Sequence, residues 1–486
     1  MGKCGIIELT KKLFFRTPIK ERRFYNEAGM KLTRKETRKH LEQFHPACEL
    51  TKLIRHFFPD LMPLLRQLPD PRNQSYITYP AVVLLMTRIL SSLFYISSMR
   101  KTSEEFNSDT VIENVWWLCG EEPAVGELPY WETVNRYLKR LDPCHLQNVI
   151  NSLCRRLLRS RAFEAMRIRG KYWQVIIDGT QLYSSRKELD GKSLYRIHNR
   201  GTDTEYRENY YYVLEAKLVL HPGILVSIMT EFVDNEDGDE AGKQDCERKA
   251  CHRLMEKLKK QFPRLSVCLS ADSLYACESF FRECREKGWR YILRYKEGSI
   301  PGIAEEYRAL KEQEQNRRET VLENVRTWYD YVTDIDYNGY GINLVEYGEI
   351  REHEYKKGRK KGSTETVRKV FWYVTDLPVN GKQAEDVAMC GRMRWKIENE
   401  EFNTQNRHGY SLEHLFSRNY QALKNHYYLI QIGHMIAQVM EAWKQLWEKA
   451  GKSREQKHRR MLESMKGIRL KEVPEDPGER IQIRFS

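Results

Sequence analysis

The chain has 486 residues, of which 41% are hydrophobic and 31% are charged, and its formal net charge at pH 7 is +14. This length and these hydrophobic and charged fractions predict a folded protein with room for two or more domains, and they exclude a disordered or fibrous chain. The positive charge favours a polyanionic partner such as nucleic acid, although a solubilising basic surface is the alternative. Eleven cysteines without a CxxC pair indicate neither a disulfide framework nor a zinc ribbon, so we expect a reduced, cytoplasmic protein.

The N-terminal third of the chain is predicted to be helical. Residues 1–49 form a basic arm, whose first forty positions carry twelve lysines or arginines against four acidic residues. Such an arm either contacts DNA phosphates or is a solvated charged surface. Residues 50–165 have apolar residues at helical spacing, and we assign them to a helical DNA-binding region. Their most hydrophobic run, which begins at Tyr79, is interrupted by Arg88 and is too short for a membrane span, so we expect a buried helix and no membrane partner.

The pattern then changes to short strands. In residues 166–298, three runs rich in β-branched and aromatic residues are followed by helix, strand, helix and strand. This order predicts an α/β protein with a mixed five-stranded sheet flanked by helices. Residues 299–368 predict a β-rich insertion, in which Asn338-Gly339 marks a hairpin. Residues 369–440 return to a strand and helices that complete the same core, and residues 441–486 are predicted to be a C-terminal helix and tail.

Two aspartates stand at the ends of predicted strands. Asp178 follows the apolar residues QVII, and Asp272 follows VCLSA. The carboxyl edge of such a sheet is where α/β folds place ligands, so we expect the two carboxylates side by side. The alternative to ligand binding is that each aspartate, taken singly, caps a turn or a helix. Paired carboxylates repel unless a divalent cation lies between them, and oxygen-only ligation suits Mg²⁺ or Mn²⁺.

A third carboxylate lies on a predicted helix. In the stretch RMRWKIENEEFNTQNRHG, one helical side carries Trp395, Glu398 and Phe402, which places an acid on an apolar stripe. Arg394 precedes Glu398 by four residues. The alternative to a functional role of Glu398 is therefore an ordinary ion pair with Arg394. Trp395 is either a core residue, which is the simpler interpretation, or a base-stacking residue.

The ordered set VIIDGT, SADSLYA and RWKIENEEFN, with a β-rich insertion before the last, resembles the DDE transposases of bacterial insertion sequences, in particular the group typified by insertion sequence 4. The phrases YYYVLEAKLV and KQDCE also resemble this family, and the likeness runs from Leu50 to Met440. It implies an RNase H-like core in which Asp178, Asp272 and Glu398 are the catalytic, metal-binding acids. It further implies two Mg²⁺ or Mn²⁺ ions, which three carboxylates can hold about 4 Å apart for in-line displacement at phosphorus.

The family implies a DNA transposase that cuts the ends of a mobile element and joins them to target DNA. Its partners would be double-stranded DNA, as the terminal inverted repeats and the target, bound by a homodimer. Its place would be the bacterial cytoplasm, on the nucleoid when DNA is bound. Two alternatives are a nuclease of the same core that never joins strands and a domesticated, inactive DNA-binding protein.

The family signature around the glutamate is Tyr, two residues, Arg, three residues, Glu, six residues, Lys. Arg394 and Glu398 match it, whereas the tyrosine position is Gly391 and the lysine position is Gln405. The lysine would contact a DNA phosphate, so either Arg407 close by substitutes for the missing charge or the activity is reduced. The residues expected to contact DNA are Arg394, Trp395, Gln405 and Arg407.

Overall fold

The computed structural model describes residues 45–190, 192–235, 245–322, 325–354, 362–396, 405, 409–442 and 453–473. Almost all of the predicted basic arm lies outside these residues, as do Glu398 and Arg407. The helices are α1 (Pro46–Phe57), α2 (Leu61–Arg66), α3 (Ala81–Leu93), α4 (Met99–Glu105), α5 (Asp109–Leu118), α6 (Trp131–Leu138), α7 (Pro143–Arg159), α8 (Glu247–Gln261), α9 (Glu278–Lys287), α10 (Ile303–Glu314), α11 (Gly381–Lys396), α12 (Tyr420–Ala442) and α13 (Arg454–Gly467).

The N-terminal region is helical, as predicted, and it shares its core with the sheet. The apolar run after Tyr79 forms α3, which is buried along almost its whole length because apolar residues occupy every side of it. Helix α12 is equally buried and packs against both α3 and the sheet. None of the described helices combines the length and the apolarity that crossing a membrane requires.

The strands form one mixed sheet. The strands are β1 (Trp173–Ser185), β2 (Leu194–His198), β3 (Tyr206–His221), β4 (Ile224–Val233), β5 (Val267–Ala271), β6 (Arg290–Tyr295), β7 (Arg317–Leu322), β8 (Val325–Tyr337), β9 (Tyr340–Glu354) and β10 (Thr364–Thr375). Five of them lie in the order β4-β3-β1-β5-β6, with β3 antiparallel to both of its neighbours and with β5 and β6 parallel to β1. This is an RNase H-like arrangement, which confirms the predicted fold class.

The sheet is larger than the predicted five strands. Strand β10 pairs with β6 and also with β9, so the β-rich insertion continues the core sheet through β9, β8 and β7. The hairpin predicted at Asn338-Gly339 joins β8 to β9, and both residues have positive φ, as a tight hairpin turn requires. Strand β2 was not predicted because it has only five residues, and its pairing with β3 is a tertiary feature.

Two helices cover the face of the sheet that carries Asp178. Residues at alternate positions of a strand point to the same face, so Ile176 and Asp178 share one face of β1. Met393 of α11 packs against Ile176, and Tyr427 of α12 donates a hydrogen bond to Glu215, the cross-strand neighbour of Asp178. Helices α11 and α12 therefore enclose Asp178 from this side.

Candidate active site

Asp178 and Asp272 lie beside each other at the edge where β1 and β5 run parallel. The last pair in this parallel register is Ile176 with Ser270, and each aspartate lies two residues beyond it. The charge of Asp272 acts on Asp178, as expected for neighbouring carboxylates. The side-by-side arrangement expected from the sequence is therefore observed.

The two aspartates differ in how their strands continue. Asp178 does not close its strand, contrary to our prediction, because β1 runs on to Ser185 through its pairing with β3. Asp272 does close β5, and its Oδ1 accepts a hydrogen bond from the backbone amide of Leu274 at 2.8 Å. The turn-capping alternative for Asp272 therefore holds as well, with Oδ2 left outside that bond.

The surroundings of Asp178 raise the pKa of its carboxyl group. Its Oδ2 accepts a hydrogen bond from Nη1 of Arg394 at 3.1 Å, and its Oδ1 accepts one from the amide of Gly179 at 3.0 Å. Burial is the largest cause that raises the pKa of Asp178, to about 7. The charges of Glu247 and Asp272 add to this rise in pKa. Arg394 and the Gly179 amide oppose the rise without cancelling it.

The chemistry of this edge fits a divalent cation. Asp178 and Asp272 supply carboxylate oxygens, which are the ligands that Mg²⁺ and Mn²⁺ prefer. A cation bound between them would relieve the repulsion that helps to raise the pKa of Asp178. Glu398, the third predicted ligand, lies outside the described residues, so its position relative to the two aspartates stays a prediction.

Helix α11 carries the predicted signature arginine to the site. Because Met393 packs against Ile176 in the core, the next residue, Arg394, reaches the middle of β1 and pairs with Asp178. The ion pair joins residues that are 216 positions apart in the sequence.

Trp395 is exposed, so our preferred core interpretation of this residue was wrong. Its relative exposure is 56%, and it lies at a cleft of about 370 Å³ next to Arg394. Four of the residues around this cleft are cationic and three are aromatic, a composition that suits a nucleic-acid strand. We call this the basic cleft, and its lining residues are Arg294, Lys369, Val370, Phe371, Tyr373, Gly391, Arg392, Arg394 and Trp395.

The missing signature tyrosine has a structural explanation. Gly391 lies directly under the ring of Tyr373 from β10, and a Cβ atom at position 391 would overlap that ring. The Tyr373 side chain is itself buried, so it has little room to move away. A tyrosine therefore does not fit at position 391, and the aromatic ring near the cleft comes from the neighbouring strand instead.

Replacing Gly391 by alanine is expected to destabilise the protein by about 1–3 kcal/mol, the range of overpacking in a buried core. Urea denaturation of the purified variant measures this loss. The double variant with Tyr373→Leu should lose less than the sum of the two single variants, because the smaller side chain leaves space for the new methyl group. Additive losses would indicate that the ring and Gly391 do not compete for the same space.

Gln405 is buried and does not contact solvent. Its amide exchanges two hydrogen bonds of 3.1 Å with the amide of Gln431 on α12, and its Nε2 lies 2.7 Å from Nδ1 of His434. Its relative exposure is 0%. This placement corrects the predicted DNA contact: at the position where the family has a lysine, this chain has a core amide. Arg407, the predicted substitute, lies outside the described residues.

Glu247 is a residue of the site that sequence reasoning missed. It is the first residue of α8, and its charge is one of those that raise the pKa of Asp178. Both of its carboxylate oxygens accept hydrogen bonds from tyrosines, one from Tyr212 at 2.9 Å and one from Tyr275 at 2.7 Å. The available signal was the family-like phrase KQDCE, which ends at Glu247.

A second group of titratable side chains lies on the outer surface of α8 and α9. His252, Glu256 and Glu283 come close enough to suggest a metal site. Lys287 already forms ion pairs with both glutamates of this group. Because its ammonium group supplies the positive charge that an ion would bring, we assign this group to surface ion pairing.

The fold and the paired aspartates define an RNase H-like protein with an acidic site at the edge of its sheet. The family model of the transposase DDE domain matches residues 170–436, which is more than half of the chain. The chain therefore belongs to the DDE transposases.

The chain also has a distant likeness to a solved transposase structure. No curated protein matches the chain significantly. Among solved structures, the cryo-EM structure of the piggyBac transposase synaptic complex with hairpin DNA is similar over 91% of this chain and 84% of that chain, with 10% sequence identity and a TM-score of 0.38.

Proposed function

We propose that this protein is a DNA transposase that cuts DNA at the ends of a mobile element and joins those ends to a target, with Asp178, Asp272 and Glu398 as its catalytic acids. The proposal extends to a bacterial insertion sequence of the group typified by insertion sequence 4. The observation that carries it is the adjacency of Asp178 and Asp272 on neighbouring strands, with Arg394 of the signature helix paired to the first of them.

The proposed reaction needs one site for two similar steps. In the first step, water attacks phosphorus at the element end, breaks the bond to the 3′ oxygen and leaves a 3′-OH and a 5′-phosphate. In the second step, this 3′-OH attacks a target phosphodiester, forms a new bond to phosphorus and releases a target 3′-OH. The number of phosphodiester bonds is conserved in the second step, so no ATP is required.

The residues of this chain have distinct parts in the proposal. Asp178, Asp272 and Glu398 would hold Mg²⁺ or Mn²⁺, two ions in all, which supply Lewis-acid stabilisation of the attacking and leaving oxygens when bound. Arg394 balances part of the charge of Asp178 before metal arrives. The basic cleft would bind the DNA backbone beside the acids, since its cations attract phosphate and its rings stack on bases.

The partner would be double-stranded DNA, as terminal inverted repeats and target, bound by a homodimer that brings two ends together. The place of action would be the bacterial cytoplasm and nucleoid. Purified protein incubated with Mg²⁺ and DNA carrying the repeats that flank its gene tests these points. Cut ends covalently joined to target support a transposase, whereas cut ends that never join indicate a nuclease. Salt-sensitive DNA binding without any Mg²⁺-dependent product would indicate an inactive DNA-binding protein.

Replacing Trp395 by alanine is expected to weaken DNA binding about tenfold without changing the stability of the fold. Stacking of an aromatic ring on a base contributes about 1–3 kcal/mol, and an exposed side chain contributes little to the core. Fluorescence anisotropy with a labelled element end measures the affinity, and urea denaturation measures stability. Trp395→Phe should recover most of the affinity; unchanged binding in both variants would remove Trp395 from the DNA surface.

A further inference from the structure

A hydrogen-bonded bridge lies behind the two aspartates, on the opposite face of the sheet. Glu215 of β3 shares the face of Asp178, because the two residues are cross-strand neighbours. Tyr212 precedes Glu215 by three residues, so it points to the other face. Its hydroxyl donates to Glu247 of α8, which places this helix on the face opposite α11 and α12.

One end of the bridge touches the residue next to Asp178. The ring and hydroxyl of Tyr212 cross over Gly179, and a Cβ atom at position 179 would overlap them. The absence of a side chain at Gly179 therefore lets Tyr212 reach past β1 toward Glu247. Tyr212 is therefore packed against the backbone next to the carboxylate of Asp178.

The other end of the bridge touches the turn that carries Asp272. Tyr275 closes the short 3-10 turn Ser273–Tyr275, which Asp272 caps, and its side chain is buried. Its hydroxyl donates to Oε1 of Glu247, while Tyr212 donates to Oε2. Burial, together with the charge of Glu247, raises the pKa of both tyrosines, so both stay protonated donors.

We propose that Glu247 is a positioning residue of the active site, which clamps Tyr212 and Tyr275 so that Asp178 and Asp272 keep the separation that a divalent cation requires. This inference rests on the proposed function. A carboxylate is suited to this part because it has two oxygens, one of which accepts a hydrogen bond from Tyr212 and the other from Tyr275. Its negative charge also adds to the field that attracts a cation to the two aspartates.

The competing explanation is that Glu247 itself binds the metal. In that case the tyrosine hydroxyls would matter little, and only the loss of the carboxylate would weaken binding. If Glu247 is a positioning residue, the two hydroxyls and the carboxylate act as one unit. Removing any one of the three should then weaken metal binding. Tyrosine-to-phenylalanine variants therefore separate the two, because they remove one hydroxyl and leave the charge of Glu247 in place.

The experiment measures Mn²⁺ binding to the full chain without DNA, from the decrease of the free-ion electron paramagnetic resonance signal. We expect Tyr212→Phe and Tyr275→Phe each to raise the half-saturating Mn²⁺ concentration about three- to tenfold, and Glu247→Gln to raise it tenfold or more. Adding either phenylalanine to Glu247→Gln should change little further, since the members of one unit are not additive. Excess Mg²⁺ should restore part of the cleavage rate in the phenylalanine variants.

The matched control is Tyr307→Phe, which removes a buried tyrosine-to-glutamate hydrogen bond in the insertion, where Tyr307 donates to Glu346 at 3.2 Å. It should leave Mn²⁺ affinity unchanged. The positioning role of Glu247 would be overturned if both phenylalanine variants bound Mn²⁺ as tightly as the parent. It would also be overturned if the losses of Mn²⁺ affinity from a phenylalanine substitution and from Glu247→Gln were additive. A parent that binds Mn²⁺ as expected but never cuts DNA would overturn the proposed function and leave this inference standing. A parent that binds no Mn²⁺ would overturn this inference, and the cleavage products would still decide the proposed function.

Discussion

Replacing Asp178 by asparagine should reduce DNA cleavage at least a thousandfold while making the metal-free protein more stable above pH 7. The loss of cleavage follows from removing a charged metal ligand at the centre of the site. The gain in stability follows from its surroundings, because burial, with the charges of Glu247 and Asp272, holds the pKa of Asp178 at about 7. The asparagine side chain keeps the shape and has no charge to bury.

The sign of the pH dependence can be worked out from this pKa. An unfolded chain ionises aspartate near pH 4, and the folded protein ionises Asp178 near pH 7. Stability contributed by the protonated group is therefore complete below about pH 4 and is lost as the pH rises toward and through 7. At pH 8 the free energy of unfolding of the variant should be about 1–3 kcal/mol higher than that of the parent, since the loss of the ion pair with Arg394 offsets part of the gain.

Urea denaturation in the presence of a chelator, at pH 4.5 and at pH 8, measures the difference in stability between variant and parent. This difference should nearly disappear at pH 4.5. Asp336→Asn is a suitable control, because Asp336 is an exposed residue of β8 whose loss removes one charge away from the site. Cleavage within tenfold of the parent would remove Asp178 from the active site. A variant less stable than the parent at pH 8 would show that the ion pair with Arg394 outweighs the cost of burial.

Restoring the family lysine at position 405 should damage the protein instead of improving it. The acceptor of the Gln405 amide, Oε1 of Gln431, also accepts a hydrogen bond from Nζ of the buried Lys217 at 2.6 Å. A lysine at 405 would bring a second ammonium group to the same buried oxygen. Burial and the charge of Lys217 already hold the pKa of the neighbouring His434 well below its usual range. We expect Gln405→Lys to lose at least about 3 kcal/mol of stability.

The control for this prediction is Gln405→Met, which has a similar length and no charge. It leaves the amide of Gln431 with fewer partners and should lose only about 1–2 kcal/mol. Urea denaturation ranks the two variants, and DNA binding at several salt concentrations checks for a new phosphate contact. A Gln405→Lys protein as stable as the parent, with a steeper salt dependence of DNA affinity, would place position 405 on the DNA and contradict its core role.

The order of the elements could be predicted because it depends on local patterns. The strands around Asp178 and Asp272 are continuous apolar runs, which is how strands buried on both faces read. The hairpin at Asn338-Gly339 needs only its two turn residues and the strands beside them. The extension of the sheet by the insertion could not be read in the same way, because the pairing of β10 with β6 joins residues about eighty positions apart.

The candidate site was predictable in part. Asp178 and Asp272 follow from strand pattern and resemblance, and their adjacency follows from the parallel order of β1 and β5. Glu247 was missed because an acid at the start of a helix usually needs no explanation beyond the helix dipole. Glu247 differs from an ordinary helix-start acid only because Tyr212 and Tyr275, from two other elements, donate hydrogen bonds to it.

The class of fold, the two strand-borne acids and the family could therefore all be predicted, since each depends on the order and the type of residues along the chain. Which side chains of the charged stretch are buried could not be predicted in this way. Trp395 lies in the solvent and Gln405 in the core, although both belong to the same short charged stretch. The reason is that burial depends on the elements that pack from elsewhere in the chain, here Tyr373 over Gly391 and Gln431 beside Gln405.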